Sequence, residues 1–223
     1  MNGTVVVDLV GGWRDVARTR LWEHDTLVNA FSVGKGLTAL VAAVMVDRGV
    51  LAYDTVVSRV WPGFTGGGKE SLTFSDVLGH RAGLPAVRRT LPPRSMYDWD
   101  LMCRELAATD PWWKPGSAHG YHVNSFGFLS GEVMRLATGR SVGQLFRELF
   151  HDALGADVHL GVPTTEHGRI AEFEWPPTAL PEVDTSGFTE QQLLQYNTYN
   201  NPLGTSGGGT VMGSKKLKAI AIR

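Results

Sequence analysis

The first apolar run along the chain is rich in valine, with Val5, Val6, Val7, Leu9 and Val10 inside the segment Thr4 to Val10, which ends at Gly11-Gly12. Runs of β-branched residues bounded by glycine predict a strand followed by a turn. Such a strand needs neighbours to pair with. From Ser32 the period changes, and Leu37, Leu40, Val41, Val44 and Met45 recur at helical spacing as far as Arg48. This predicts a largely buried helix, with Gly49 suited to the left-handed position just beyond its end.

Polar punctuation then sets off further helices. Thr73, with Asp76 three residues on, has the spacing of a capping box for a short helix that Gly83 and Pro85 would stop. A helix from about Asp98 to Thr109 ends before Pro111. Phe126, Leu129, Val133 and Leu136 mark another, closed by Gly139. Ser141 and Gln144 cap a further helix with Leu145 and Leu149 on its apolar face, Leu154 a further candidate, and Gly155 beyond its end. The middle of the chain therefore reads as mainly helical with Pro/Gly-rich connections, and no internal repeat of about 20–50 residues is visible.

Composition narrows the partners. The 223 residues are 43% hydrophobic and carry a formal net charge of −1. That is enough apolar material for a packed core, with no global field to attract nucleic acid or an anionic membrane. A small-molecule or protein partner is expected; the oligomeric state is left open. Cys103 is the only cysteine, which excludes an internal disulfide and a cysteine-based zinc site and favours a reducing compartment. The segment MNGTVVVDLVGG has no basic region, long apolar stretch or small-residue cleavage site, so a cytoplasmic location is expected. Charge is uneven at the other end. The last acidic residue is Glu190, and residues 212 to 223 carry Lys215, Lys216, Lys218 and Arg223, a +4 segment on a chain that is otherwise −5. It follows the glycine-rich run Gly204 to Gly209 and reads as an abnormal ending, as from a truncated or frame-shifted reading frame.

Candidate chemistry begins at Ser32-Val-Gly-Lys35, an S-x-x-K sequence at the opening of an apolar helix. On a first helical turn, residues i and i+3 share a face, so the Lys35 amine can fold back onto the Ser32 hydroxyl. A serine is a weak nucleophile at its free pKa, and a desolvated lysine can accept its proton. The helix N-terminus adds a positive dipole end, and the Ser32 N–H could supply half of an oxyanion hole. Gly34 and Gly36, poor helix formers, suggest close approach of another backbone or a substrate. The bland alternative makes Ser32 an N-cap and Lys35 a solvated side chain.

Three segments in order change that balance: Asp25-Thr-Leu-Val-Asn-Ala-Phe-Ser-Val-Gly-Lys35; Val77-Leu-Gly-His-Arg-Ala-Gly-Leu-Pro85; and Pro115-Gly-Ser-Ala-His-Gly-Tyr-His122, followed by Gly131-Glu-Val-Met-Arg-Leu-Ala-Thr-Gly139. Together they resemble the beta-lactamase-related serine hydrolases over about residues 1 to 210, and are most similar to the family VIII carboxylesterases. The resemblance implies an α+β, multi-domain, beta-lactamase/transpeptidase-like fold: a helical domain beside an incomplete antiparallel-sheet α/β domain. Residues 1–50 would be the N-terminal part of the α/β domain with the nucleophile helix, 51–205 the mainly helical domain with the tyrosine motif, and 206–223 the atypical basic tail. It further implies Ser32 as acylated nucleophile, Lys35 as its activating partner, Tyr121 as proton shuttle, and no cofactor or metal. The substrate would be a small ester or amide. In lactamases of this group the second motif reads Tyr-x-Asn, whereas Tyr121 here is followed by His122 and Val123, with Asn124 one place late. This favours short-chain esters over beta-lactams or D-Ala-D-Ala peptides. The later strands, with a third Lys- or His-Thr/Ser-Gly motif and a second oxyanion donor, have no convincing counterpart after Tyr121. A catalytically impaired fragment acting as a ligand-binding or assembly partner is therefore the competing reading.

Two further motifs are decoys. Gly204-Thr-Ser206-Gly-Gly208 matches the nucleophile elbow G-x-S-x-G, but no Asp, Glu or His follows Ser206 to complete a triad. Gly63 to Lys69 imitates a P-loop, but Glu70 stands where a Mg²⁺-binding hydroxyl belongs. His119 and His122 form the one close histidine pair and lack a third ligand. His80 is expected to be a satisfied packing histidine. Trp112 and Trp113 are core by default, with one or both able to wall an acyl pocket.

Overall fold

The computed structural model describes residues 2–89, 91–92, 94–174, 184–190 and 192–193. Among these residues six α-helices carry the fold: α1 (Val33–Asp47), α2 (Val57–Val60), α3 (Phe74–Leu78), α4 (Trp99–Ala108), α5 (Ser125–Thr138) and α6 (Val142–Phe146). Short 3₁₀ turns at Lys69–Ser71, Ser95–Tyr97 and Thr164–Arg169 join or follow them, and α6 runs on into a π-helical turn, Arg147–Asp152.

Local chemistry accounts for most of the ends. Thr73 and Asp76 form the expected reciprocal capping box, as do Ser141 and Gln144. The Asp98 carboxylate accepts from the Leu101 N–H at 2.9 Å and starts α4. Gly139 ends α5 in the left-handed region with its N–H on the Arg135 carbonyl. One end falls earlier than expected: α3 stops at Leu78 rather than running to Gly83, because His80 itself takes a positive φ of 57°.

Helix α5 is the hub. It packs against α1, α2, α3, α4 and α6, and its Phe126, Leu129, Val133 and Met134 lie in a core with Val41 and Met45 of α1, Phe74 and Val77 of α3, and Met102 and Leu106 of α4. Gly131 lets the Trp99 ring approach; a Cβ there would stand 2.8 Å from Trp99 Cη2. Helix α1 is less enclosed than its composition suggests. Thr38, Val41, Ala42 and Met45 form a buried stripe, but Val33 and Leu40 on other faces are about half exposed. Leu154 is also outside the core, at 71% exposed: five residues beyond Leu149, it falls off the face that Leu145 and Leu149 share.

Among the described residues there is no strand, only isolated bridges at Trp13–Leu21, Leu27–Ile170 and Val56–Thr73. The expected strand Thr4–Val10 is not assigned as one among the described residues, and Val5, Val6, Val7 and Leu9 are exposed. A strand exists through its ladder bonds, and no bridge among the described residues involves residues 5–10. The basic segment 206–223 and Ser206 lie outside the described residues. The approach to α1 is nevertheless fixed. Leu27 exchanges backbone bonds with Arg169 and Ala171, and Arg169 spans Asp25, Asp157 and Glu166.

These placements separate two leucines of similar sequence appearance. Leu129→Ala, which empties a site 1% exposed, should cost about 2–5 kcal/mol in urea denaturation, whereas Leu154→Ala should stay within about 0.5 kcal/mol.

Candidate active site

Ser32 sits at the N-cap of α1 with helical dihedrals and makes no side-chain cap hydrogen bond. Its hydroxyl is therefore not spent on the helix. Lys35, one turn on, donates from Nζ to Ser32 Oγ at 3.2 Å, so the two expected site residues meet as their spacing requires. The turn before them is strained: Phe31 has φ 48°, its N–H donates to Asn29 Oδ1, and its ring packs edge-on against Phe173. Gly36 shows no close approach, since nothing among the described residues lies within 4 Å of a Cβ placed there.

Tyr121 reaches the same point from a distant loop. The Lys35 ammonium lies 4.9 Å from the Tyr121 ring centroid and 6.0 Å from that of Phe126. Partial burial pushes the phenol up, but hydrogen bonds with Ser32 and Lys35 and the lysine charge outweigh it and bring the phenol below its ordinary value. Lys35 thus bonds to Ser32 and stands against the Tyr121 ring, so the three side chains meet at one point.

The loop that carries Tyr121 is laced to residues 80–84. Gly120 N–H donates to the His80 carbonyl, Trp112 N–H to the Gly83 carbonyl and Gly116 N–H to the Arg81 carbonyl. Ser125 Oγ donates to the Leu84 carbonyl at 2.6 Å. Trp113 supports the backbone beside Tyr121; a Cβ on Gly120 would fall 2.5 Å from its Cη2. Trp112 belongs to the core, its Nε1 on the Ala86 carbonyl and the Arg88 guanidinium over its ring. Asn124 occupies the N-cap of α5 with Nδ2 buried and unbonded.

Two histidines matter here beyond their sequence signal. Buried His122 accepts the Leu84 N–H on Nε2 at 2.9 Å and turns Nδ1 to the Gly120 carbonyl, which leaves the ring no lone pair for a metal. His80 accepts the His122 N–H on Nδ1 at 2.9 Å, and its ring lies tilted against Tyr121 and Phe126, with centroids 4.8 Å and 4.9 Å away. Its Nδ1 is matched and its ring packed, yet it stands in the wall of the site. The only hint in the sequence was its place in the second of the three resembling segments. The P-loop imitation dissolves: the Lys69 ammonium is buried and donates to the Ala107 and Thr109 carbonyls, while Glu70 accepts the Gly66 N–H.

The sequence pattern of the Beta-lactamase family matches residues 1–220. The chain belongs to that family. Among curated relatives it is 36% identical over 178 residues to the esterase/beta-lactamase LipL of Mycobacterium tuberculosis (strain ATCC 25618 / H37Rv), an overlap of 79% of this chain and 41% of LipL. The structure superposes on a penicillin-binding protein homologue from Caulobacter crescentus with a TM-score of 0.73 and 39% identity, over 82% of this chain and 51% of that one. A family VIII carboxylesterase matches with a TM-score of 0.70 and 40% identity, over 74% and 46% of the two chains. EstA from Arthrobacter nitroguajacolicus Rue61a follows with a TM-score of 0.67 and 32% identity, over 82% and 52%. The family resemblance read from the three segments is thereby established, and so is the beta-lactamase/transpeptidase type of fold. The chain spans less than half the length of LipL and about half that of the solved relatives.

Acid should loosen this site. Burial first, then the charges of Lys35 and His119, lower His80 to about 4; burial first, then His80 and His119, lower His122 to about 4 against the Gly120 bond that raises it. Both folded pKa values lie below the unfolded one, so the native state binds fewer protons between about pH 6.5 and 4. Their contribution to stability is complete above about pH 6.5 and is lost as pH falls toward 4, at up to about 1.4 kcal/mol per pH unit for each ring. Urea midpoints across this range should therefore fall less steeply for His80→Asn than for the unaltered chain.

Proposed function

We propose that this chain carries the acylating centre of a serine hydrolase for short-chain carboxylic esters. The observation that carries the reading is the uncapped Ser32 hydroxyl 3.2 Å from Lys35 Nζ, with the Tyr121 phenol drawn down beside both. In this reading the Lys35 cation favours the Tyr121 phenolate, which takes the Ser32 proton as Oγ attacks the ester carbonyl. The carbonyl electrons move to oxygen, where the N–H of Ser32 at the positive end of α1 supplies one stabilising donor. Collapse breaks the bond to the alkoxide, which leaves with the proton from Tyr121. Water then attacks the acyl-serine by the reverse proton path, releasing the acid.

Esters are preferred over lactams because Val123 occupies the place two residues beyond Tyr121. Asn124, one place later, sits at the N-cap of α5 with its amide nitrogen enclosed. The names of the relatives support the same class, esterase in LipL and carboxylesterase in a solved neighbour. A second reading, a catalytically impaired assembly partner, draws on the exposed run Val5, Val6, Val7 and Leu9, which offers an apolar surface.

A fluorophosphonate should label Ser32, read by mass spectrometry of the digested chain. Lys35→Ala and Tyr121→Phe should each slow labelling by about 10²-fold or more. No adduct at Ser32, together with a self-associated species in sedimentation, would favour the second reading.

A further inference from the structure

A helix that ends in a left-handed residue ordinarily takes glycine or asparagine there, because a Cβ makes that conformation costly. After α3 the chain has both kinds of residue in the wrong order: Gly79 keeps a negative φ of −85°, and His80 takes φ 57°. This strain has a structural return. The His80 carbonyl accepts the Gly120 N–H at 3.0 Å and its Nδ1 accepts the His122 N–H at 2.9 Å, so one residue holds the backbone N–H of each neighbour of Tyr121. Its ring then lies against the phenol itself, 4.8 Å between centroids.

We infer that His80 is a positioning residue, whose left-handed backbone and Nδ1 acceptor together fix Tyr121 against Ser32 and Lys35. The inference rests on the reading of those three residues as an acylating centre. The carbonyl alone would hold only the Gly120 side and leave residue 122 to pivot. Only Nδ1 can meet the His122 N–H, so the ring must present its unprotonated nitrogen there and carry its proton on Nε2. Groups that bear on Tyr121 are Lys35 and Ser32 from α1 and its cap, and His80 with its neighbours His119 and His122 from the two laced segments. Loss of the grip would therefore read out at the phenol.

Two substitutions separate grip from packing. His80→Gly relieves the left-handed strain and removes the acceptor; His80→Asn tolerates the same backbone and offers Oδ1 close to where Nδ1 stood. In the 223-residue chain with ¹³Cζ-labelled tyrosine, assigned by Tyr121→Phe, His80→Gly should raise or maintain the urea midpoint. It should also move the Tyr121 titration upward and slow fluorophosphonate labelling of Ser32 by about ten- to a hundredfold, whereas His80→Asn should hold labelling within about threefold. Stability and reactivity moving apart is a result that a merely structural histidine cannot give. An unchanged Tyr121 titration in His80→Gly, with Ser32 still labelled at the original rate, overturns the positioning role and leaves the acylating centre standing. Equal losses in His80→Gly and His80→Asn also overturn it, since the acceptor would then not be what matters. A shifted Tyr121 titration in a chain whose Ser32 is never labelled keeps the grip and discards the acylating centre.

Discussion

The buried imidazole of His122 bonds in two directions at once, to the Leu84 N–H and to the Gly120 carbonyl, while its own N–H goes to His80. That ring adds a buried link to the backbone bonds and the Ser125 hydroxyl that also lace the loop bearing Tyr121 to residues 80–84. With it, two segments some forty residues apart in sequence become one wall, and the wall ends at the N-terminus of α1. A buried polar ring is stabilising only when each nitrogen is matched. His122 meets that condition in one tautomer, with Nδ1 protonated and Nε2 bare.

Strain gathers where this wall meets the helix. Phe31, one residue before Ser32, and His80, against Tyr121, both hold positive φ without being glycine. Such conformations cost of order 1–3 kcal/mol and persist only where surrounding contacts over-determine them. Phe31 is held by the Asn29 side chain and the Phe173 ring, His80 by its bonds to the tyrosine loop. The core behind them, centred on α5, is regular and well capped, and so can carry these local costs.

The same structure shows why a motif is weaker than its surroundings. Lys69 and Lys35 are both lysines in glycine-rich sequence, yet one donates to main-chain carbonyls in the interior and the other to a serine hydroxyl at the surface. What separates them is what α4 and the tyrosine loop bring alongside, not the residues next to them in sequence.

Helix positions, their caps and the Ser32–Lys35 pairing were determined by the sequence itself, because a capping box, an apolar stripe and an i, i+3 contact involve residues within a turn or two of each other. The family, too, was legible from three ordered segments, since together they fix more positions than chance would supply. Only the tertiary structure decided that α3 ends at Leu78, that α1 is buried on one side, that Leu154 lies outside the core and that Thr4–Val10 is not assigned as a strand among the described residues. The same holds for the meeting of Tyr121 with Lys35 and for the grip of His80. Each of these depends on which distant backbone group, ring or charge comes to lie within a few ångströms, and spacing along the chain carries no record of that.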